Sequence, residues 1–284
     1  MKFLLISLLV TFTISNPSQA TLPDYYPTEY RNKLQKGLIK NDELKKILFK
    51  ILTKTHQINR NAPDSLVDTC SNSKTCYKHE TLSYSVARSF LFGKMHLKED
   101  DKGYYVQDVY CEKNYRKRHG VGPMRIPDHN IINCEHTWPQ SKFTNTFSRE
   151  TQKSDLNHLY PTDNKANSMR GNFPFANVHG SEISSRCSKA YLGTPMSPEK
   201  RNNRGMSFEP PEDHKGNVAR ALFYFSLRYK MKISDMQEAH LRNWHQLDPV
   251  DEDEKFRNEV INEVQGNRNP FIDIPDLVEN ISDF

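Results

Sequence analysis

The sequence predicts an α+β fold, a mostly helical single domain with a few short strands. Apolar residues recur at helical spacing in residues 30–55 and again in residues 216–231. Residues 104–110 are rich in aromatic and β-branched residues, which are typical of a strand, and residues 131–136 predict a second short strand. From Thr21 onward the sequence contains no repeat and no low-complexity linker, so we expect one domain.

The first twenty residues have the pattern of an export signal. Lys2 gives a positive start, and residues 3–14 form an apolar run that is too short to span a bilayer. Ser18 and Ala20 are small residues at the positions that a signal peptidase reads. We expect cleavage after Ala20, with a buried N-terminal helix or strand as the alternative. The mature chain is therefore expected to be secreted or periplasmic and to have no membrane segment.

The cysteine content fits an exported protein, because export permits disulfides. Among the five cysteines, Cys70 and Cys76 flank a short polar loop and could close a small ring. The odd count leaves at least one thiol free or paired between chains. There is no C-x-x-C pair, which argues against a structural zinc site of that type. The net charge of +5 is compatible with a polyanionic partner, although many exported proteins are equally basic.

In the first half of the chain, the sequence predicts helices separated by polar loops. We expect the helical region 30–55 to break at Asn41 and Asp42, either of which could cap the second helix. Residues 61–73 predict a loop. Residues 83–91 predict a helix that ends at Gly93.

The chain continues after strand 104–110 with residues 113–125, a basic loop that contains six cationic or imidazole side chains. Such a loop is most often a solvated surface, and contact with nucleic acid is the alternative.

The second half of the chain predicts a strand, a polar connection and then mostly helix. The connection is residues 143–153, and residues 158–160 predict a short strand that Pro161 stops. Residues 164–170 suit one or two helical turns, whereas residues 181–212 predict mostly loop.

Towards the end of the chain, residues 216–231 form the strongest helical pattern, and their apolar character indicates burial. Asp248 and Pro249 predict the start of a last long helix, which we expect to end at Gly266.

Two polar clusters carry the residue types that phosphodiester hydrolysis requires. The first contains Glu135 and His136, and the second leads from residues 155–161 into Asn167 and Arg170. A histidine can take a proton from water, so His136 is the candidate base. A hard divalent cation can neutralise charge on the phosphate and takes oxygen ligands, for which Glu135 and Asn167 are suited. Arg170 could hold the phosphate.

Each of these residues also has a plainer interpretation. Most Glu-His pairs are surface or capping residues, and His158 taken alone is more often a structural hydrogen-bonding residue. Arg170 could be a surface charge. Neighbouring side chains on a strand point to opposite faces, so Glu135 and His136 can share one site only if the strand ends there.

Five motifs in order favour the functional interpretation over the plainer one, because together they resemble the endonuclease I family of exported, nonspecific bacterial nucleases. The motifs are residues 135–141, 154–163, 167–172, 216–221 with Arg228 and Tyr229, and 248–250 with 265–271. The resemblance covers residues 83–277. It leaves residues 21–82 as an N-terminal helical extension without an assigned function.

The resemblance implies a ββα-metal core in which a strand presents the histidine and the following helix presents an asparagine. Transferred to this sequence, His136 is the general base, and Glu135 and Asn167 hold the metal. The implied metal is Mg²⁺, with Ca²⁺ and Mn²⁺ as alternatives. The implied reaction breaks the bond between phosphorus and the 3′-oxygen and leaves 5′-phosphate ends.

We expect a monomer that binds DNA and RNA through backbone phosphates, because a scavenging or defence nuclease has no need to read base edges. Arg170 is the candidate for the phosphate-holding arginine and Arg149 the weaker one, and His158 together with Arg149 is assigned to substrate contact. Cys134 is expected to be structural, and Asn133 receives no role. Two other functions stay open: a catalytically inactive nucleic-acid-binding protein, and a metal-dependent phosphoesterase acting on small substrates.

Overall fold

A computed structural model describes residues 21–70, 72–196 and 205–284, and it confirms the α+β class. In these ranges nine α-helices are interspersed with four small antiparallel sheets. The predicted export signal lies outside the described residues. Within them, no helix is both long enough and apolar enough to cross a membrane.

The N-terminal region contains two helices, as expected, and also a sheet that the sequence did not predict. The elements are α1 (Thr28–Gln35), α2 (Asn41–Thr53), β1 (Thr55–Asn59), β2 (Ala62–Val67) and β3 (Cys76–Tyr77), with sheet order β2-β1-β3. The loop expected at 61–73 is therefore wrong, and so is a purely helical extension. The polar strand β2 is fixed by tertiary contacts, since buried Asp64 accepts a hydrogen bond from Tyr77 and lies 3.4 Å from Nδ1 of His56.

Two further predictions in this region concern the cap of α2 and the ring between Cys70 and Cys76. Neither Asn41 nor Asp42 caps α2, because the N-cap residue is Lys40. Asn41 has a positive φ of 50°, and its side-chain oxygen accepts a hydrogen bond from Ser282 instead. The small ring between Cys70 and Cys76 is confirmed as a disulfide.

The second region is a helix followed by a three-stranded sheet. It comprises α3 (Tyr84–Phe90), a π-helical turn (Leu91–Met95), β4 (Lys98–Asp100), β5 (Gly103–Gln107) and β6 (Asn114–Arg116). Gly93 therefore lies inside the helical segment and does not end it. A Cβ atom at Gly93 would lie 2.2 Å from the backbone nitrogen of Met124, so this glycine permits a close approach of the following loop. The basic loop also begins as a strand, β6.

The central unit is a β-hairpin followed by a helix. It consists of β7 (Ile132–His136), β8 (Leu159–Asp163) and α5 (Asn164–Arg170), and the polar connection between the strands contains a short helix, α4 (Arg149–Ser154). Pro161 does not stop β8. Its carbonyl accepts a hydrogen bond from Val109, which shows that its backbone faces away from β7, where a missing N–H removes no hydrogen bond of the hairpin.

Residues 181–212, which were expected to be mostly loop, contribute to a three-stranded sheet. Its strands are β9 (Val178–Ser184), β10 (Cys187–Pro195) and β11 (Ser207–Glu209). Gly180 and Gly193 pair across β9 and β10. A Cβ atom at either one would lie within about 2.3 Å of the opposite backbone, so these glycines mark a close strand contact and not a loop.

The C-terminal region is helical and supplies the core: α6 (Lys215–Tyr229), α7 (Asp235–Leu247), α8 (Glu252–Gln265) and α9 (Pro270–Asp273). The burial of α6 and the end of α8 at Gly266 are confirmed. The expected helix start at Asp248 is wrong, because Asp251 caps α8. The Asp248 carboxylate instead accepts a hydrogen bond from the Gly216 amide at the start of α6.

Candidate active site

The hairpin β7–β8 and helix α5 form a ββα unit. Helix α5 has weak intrinsic propensity, but Asp163 caps it by accepting hydrogen bonds from the amides of Lys165 and Ala166, both at 3.0 Å. Lys113 and Tyr115 of the neighbouring sheet donate to the other carboxylate oxygen of Asp163, at 2.7 and 2.8 Å. The start of the helix is thus fixed from both sides.

Glu135 lies on the inner face of this unit and is 1% exposed. Its Oε1 accepts a hydrogen bond from the Tyr110 hydroxyl at 2.9 Å and lies 3.1 Å from Nη1 of Arg170. Burial raises the pKa of Glu135, while the positive charge of Arg170 and the Tyr110 hydroxyl oppose that shift. No pattern in the sequence predicted that Tyr110 would contact this carboxylate.

Arg170 is buried and binds the backbone at the end of β7. Its side chain is 2% exposed, and besides Glu135 it binds the carbonyl oxygens of His136 at 3.2 Å and Thr137 at 2.6 Å. Its guanidinium also lies 4.4 Å from the ring centre of Phe175. The expectation that Arg170 clamps the phosphate is therefore corrected: in this structure it neutralises a buried carboxylate and fixes the strand end.

His136 projects to the opposite face of β7. Its Nε2 lies 3.1 Å from the Lys153 carbonyl oxygen, which can only accept, so Nε2 carries the proton. Its Nδ1 lies 3.3 Å from the side-chain nitrogen of Gln140 and is thereby the acceptor. Burial lowers the pKa of His136 well below its ordinary value, and the positive charges of Lys153 and Arg170 lower it further, while the hydrogen bond to the Lys153 carbonyl opposes the shift. The imidazole is therefore neutral, and its Nδ1 can act as a general base once a water replaces Gln140 as its partner.

The two halves of the Glu-His pair do not converge as expected. Strand β7 stays in regular register through its last residue, with Glu135 opposite Tyr160 and His136 opposite Leu159. Their side chains therefore point to opposite faces. The structure brings Glu135 together with Arg170, and it separates both from the His136 ring.

Asn167 lies on the same face as Glu135. Its Nδ2 donates to the side-chain oxygen of Asn133 at 2.7 Å, and the Cys134 carbonyl lies 3.4 Å away. Asn133 precedes Glu135 by two residues and shares its strand face. Asn133 in turn donates to the Asn164 side chain at 2.7 Å. This network occupies the amide nitrogen of Asn167 and leaves its Oδ1 as the acceptor for a ligand.

Asn133 is a site residue that the sequence interpretation missed. The signal was present in its spacing, because it stands two residues before Glu135 on a strand and therefore on the same face. Asn164 and Asn167 stand three residues apart, so they share one face of a helix.

The oxygen atoms on the Glu135 face fit a hard divalent cation. In the described ranges no three His, Cys, Asp or Glu side chains form a group that could hold a metal ion. Tyr110 and Arg170 occupy Oε1 of Glu135, so the other carboxylate oxygen, Oε2, and the amide oxygen of Asn167 are the atoms suitable for Mg²⁺, which commonly takes one or two protein ligands and retains several waters. The donor set therefore fits the implied metal.

His158 and Arg149, both assigned to substrate contact, differ in accessibility. His158 is fully buried, binds the Gln152 carbonyl at 2.8 Å, and has a pKa lowered to about 4 by burial. Contact between His158 and substrate is therefore corrected to a structural role. Arg149 is exposed and contacts Gln140, the same residue that touches Nδ1 of His136. Arg149 is thus an accessible cation next to the candidate base.

Cys134 is structural, as expected. It is the free cysteine among the described residues and is buried, whereas Cys111 and Cys187 form a second disulfide. Burial raises the pKa of the Cys134 thiol to about 12, so it is protonated and unreactive at neutral pH.

The hairpin β7–β8 and helix α5 define a ββα unit, and comparison with known families identifies the family of the chain. The Endonuclease I family model matches residues 42–276, and the chain belongs to that family. The match begins well before residue 83, so most of the segment first treated as an extension lies within the family domain.

Individual relatives are nucleases by name. The chain is 35% identical to an extracellular ribonuclease of Bacillus subtilis (strain 168) over 167 residues, 52% of this chain and 53% of the relative. It is 29% identical to an extracellular deoxyribonuclease of Aeromonas hydrophila over 122 residues, 43% of this chain and 49% of the relative. It is 28% identical to Endonuclease-1 of Buchnera aphidicola subsp. Acyrthosiphon pisum over 121 residues, 42% and 44%. The chain spans about half the length of these curated relatives.

Proposed function

We propose that the chain is an exported, metal-dependent endonuclease that hydrolyses the phosphodiester bonds of DNA and RNA. One observation carries the proposal: a member of the Endonuclease I family presents Glu135, His136 and Asn167 on a ββα unit. The relatives named ribonuclease and deoxyribonuclease support both substrates. The extracellular and periplasmic names among them support action outside the cytoplasm.

Glu135 and Asn167 would hold Mg²⁺, with Ca²⁺ or Mn²⁺ as alternatives. When bound, the cation neutralises charge on the phosphate and supplies an acidic water for the leaving oxygen. Tyr110 and Arg170 hold Oε1 of Glu135, and Asn133 holds the amide nitrogen of Asn167. These contacts orient the two ligand side chains before a cation arrives, which reduces the ordering that binding requires.

His136 would accept the proton of the attacking water at Nδ1. The Lys153 carbonyl, at 3.1 Å from Nε2, keeps the other nitrogen protonated and stabilises the imidazolium that forms. The water oxygen bonds to phosphorus as the bond to the 3′-oxygen breaks, which leaves a 5′-phosphate. Because Glu135 and His136 are the last two residues of β7, the scissile phosphate is expected at that end of the strand.

Arg149 takes the phosphate-contact role that Arg170 cannot fill. It is exposed, whereas Arg170 is 2% exposed and committed to Glu135. The contact of Arg149 with Gln140 places it beside His136. Contacts of this kind recognise the backbone and not the bases, in keeping with activity on both nucleic acids.

A direct test is digestion of supercoiled plasmid and total RNA, each with Mg²⁺ and with EDTA. We expect both polymers to be cut with Mg²⁺ and neither with EDTA. Binding of both polymers without any cutting would support an inactive binding protein. Cleavage of a small chromogenic diester alone would support a phosphoesterase of small substrates.

The metal site has its own test. We expect Glu135→Ala and Asn167→Ala to lose Mg²⁺ affinity in calorimetry, while Asn172→Ala does not, because Asn172 is an exposed residue just after α5. Unchanged Mg²⁺ binding in the first two variants would reject this ligand assignment.

A further inference from the structure

A cleft of about 770 Å³ opens on the sheet formed by β4, β5 and β6. We call it the basic cleft. Five cationic side chains and one carboxylate are among its lining residues: Lys102, Arg116, Lys117, Arg118, Arg125 and Glu99. Glu135, His136 and Asn167 do not line it. The basic cleft is therefore separate from the residues proposed to break the bond.

Most of these cations are available to a ligand. Arg116 is the exception, because its two terminal nitrogens bind both carboxylate oxygens of Asp100, at 2.7 and 2.6 Å. Lys117, Arg118 and Arg125 are exposed, and no carboxylate in the described part of the chain forms a salt bridge with them. A cleft with unneutralised positive charge attracts a polyanion.

An aromatic ring accompanies this charge. Tyr104 lines the basic cleft, and with 40% of its surface exposed its ring is accessible to a ligand there. Bases of single-stranded nucleic acid stack on exposed aromatic rings while cations contact the phosphates. A duplex hides the faces of its bases, so the ring would be of use mainly to a single strand.

Hydrogen bonds connect the sheet beneath the basic cleft to the ββα unit. Lys113 and Tyr115, on or next to β6, hold Asp163, the residue that caps α5. Helix α5 carries Asn167. A polymer bound to the sheet would therefore lie next to the ββα unit, which presents the metal ligand.

We propose that the basic cleft is an exosite that binds single-stranded nucleic acid beyond the scissile phosphate. This rests on the proposed nuclease function. Lys117 and Arg118 contact phosphates, and Tyr104 stacks on a base. The exosite favours polymers over short substrates, because only a polymer reaches both the basic cleft and the end of β7.

The test measures binding of a labelled single-stranded oligonucleotide to the full chain by fluorescence anisotropy in EDTA, where no cleavage is expected. We expect Lys117→Ala/Arg118→Ala to bind roughly tenfold more weakly, with a salt dependence lower by about 1.4, from about 0.7 per lost phosphate contact. Tyr104→Ala should weaken single-strand binding at least about fivefold and leave duplex binding unchanged. Lys33→Ala/Lys36→Ala, which removes two exposed charges from α1 and its C-cap, is the matched control and should bind normally.

Three results would overturn the exosite. One is normal binding by Lys117→Ala/Arg118→Ala, and another is an equal loss in the control. The third is an equal effect of Tyr104→Ala on single strand and duplex. Cleavage of a small chromogenic diester tests the proposed nuclease function separately, because so small a substrate does not need the exosite. A chain that binds the oligonucleotide through the basic cleft but cuts nothing would reject the nuclease and retain the exosite.

Discussion

Replacing Arg170 by methionine separates a positioning role from a phosphate-clamping role. Arg170 and Glu135 are each 2% exposed along the side chain and lie 3.1 Å apart. Methionine fills much of the same volume but leaves the Glu135 carboxylate buried without its positive partner. It also removes the hydrogen bonds to the carbonyls of His136 and Thr137.

Breaking a buried ion pair by removing one partner costs about 3–5 kcal/mol. The unfolding entropy near 60 °C is about 2.1 cal/mol/K per residue, or roughly 0.6 kcal/mol/K for the 284-residue chain. The Tm of Arg170→Met should therefore fall by about 5–8 °C. The accessible Arg149 offers a matched control, and Arg149→Met should shift the Tm by no more than ~1 °C because surface substitutions cost little.

The assay is thermal unfolding at pH 7 under non-reducing conditions. The double variant Glu135→Gln/Arg170→Met should recover part of the loss, since it no longer buries an unpaired charge. A Tm for Arg170→Met that matches wild type, combined with lost cleavage, would refute the reasoning. It would show that the guanidinium is free to act on the phosphate.

Three further predictions follow from other parts of the structure. Asn133→Ala should weaken Mg²⁺ binding about tenfold in calorimetry, as loss of an outer partner of a ligand does, whereas Asn172→Ala should not; equal affinities would remove Asn133 from the site. Burial lowers the pKa of His158 to about 4, so its contribution to stability is complete above the unfolded pKa of about 6.5 and is lost as the pH falls towards 4. Between pH 7.5 and 4.5 the wild type should lose about 2–3 kcal/mol more unfolding free energy in urea than His158→Gln does, and equal losses in the two proteins would contradict this origin. Cys111→Ser/Cys187→Ser opens a bridge across 76 residues and should cost about 4 kcal/mol in the same assay; a loss below about 1 kcal/mol would contradict the loop-entropy account.

The sequence was sufficient where local pattern and tertiary structure agree. The buried helix α6, strand β7 and the end of α8 at Gly266 follow from periodicity and turn chemistry. Helix α5 was expected despite its asparagines. The structure shows that Asp163 compensates for its weak propensity by capping it.

The sequence was insufficient where distant contacts decide the structure. Asp64 and the Gly180–Gly193 pair make strands of segments that resemble loops by composition. Asp248 looked like a local helix cap but binds Gly216 across the fold. Single residues cannot reveal such partners, because the partner lies far away in the chain.

The residues of the candidate site, too, could be predicted only in part from the sequence. Residue chemistry indicated Glu135, His136 and Asn167, and the motifs identified the family. Hydrogen-bond partners decided the rest. The Arg170 guanidinium binds Glu135 and two backbone carbonyls, and Nε2 of His158 binds the Gln152 carbonyl; no single motif reports these partners.

The most direct test of the site is the variant His136→Ala, assayed for plasmid cleavage and for Mg²⁺ and DNA binding. Because His136 faces away from Glu135, its removal should leave Mg²⁺ and DNA affinity unchanged. Cleavage should fall by about 10²–10⁴-fold, the usual contribution of a general base. Near-normal cleavage by this variant, or loss of Mg²⁺ binding along with activity, would contradict the assignment of His136 to the water and Glu135 to the metal.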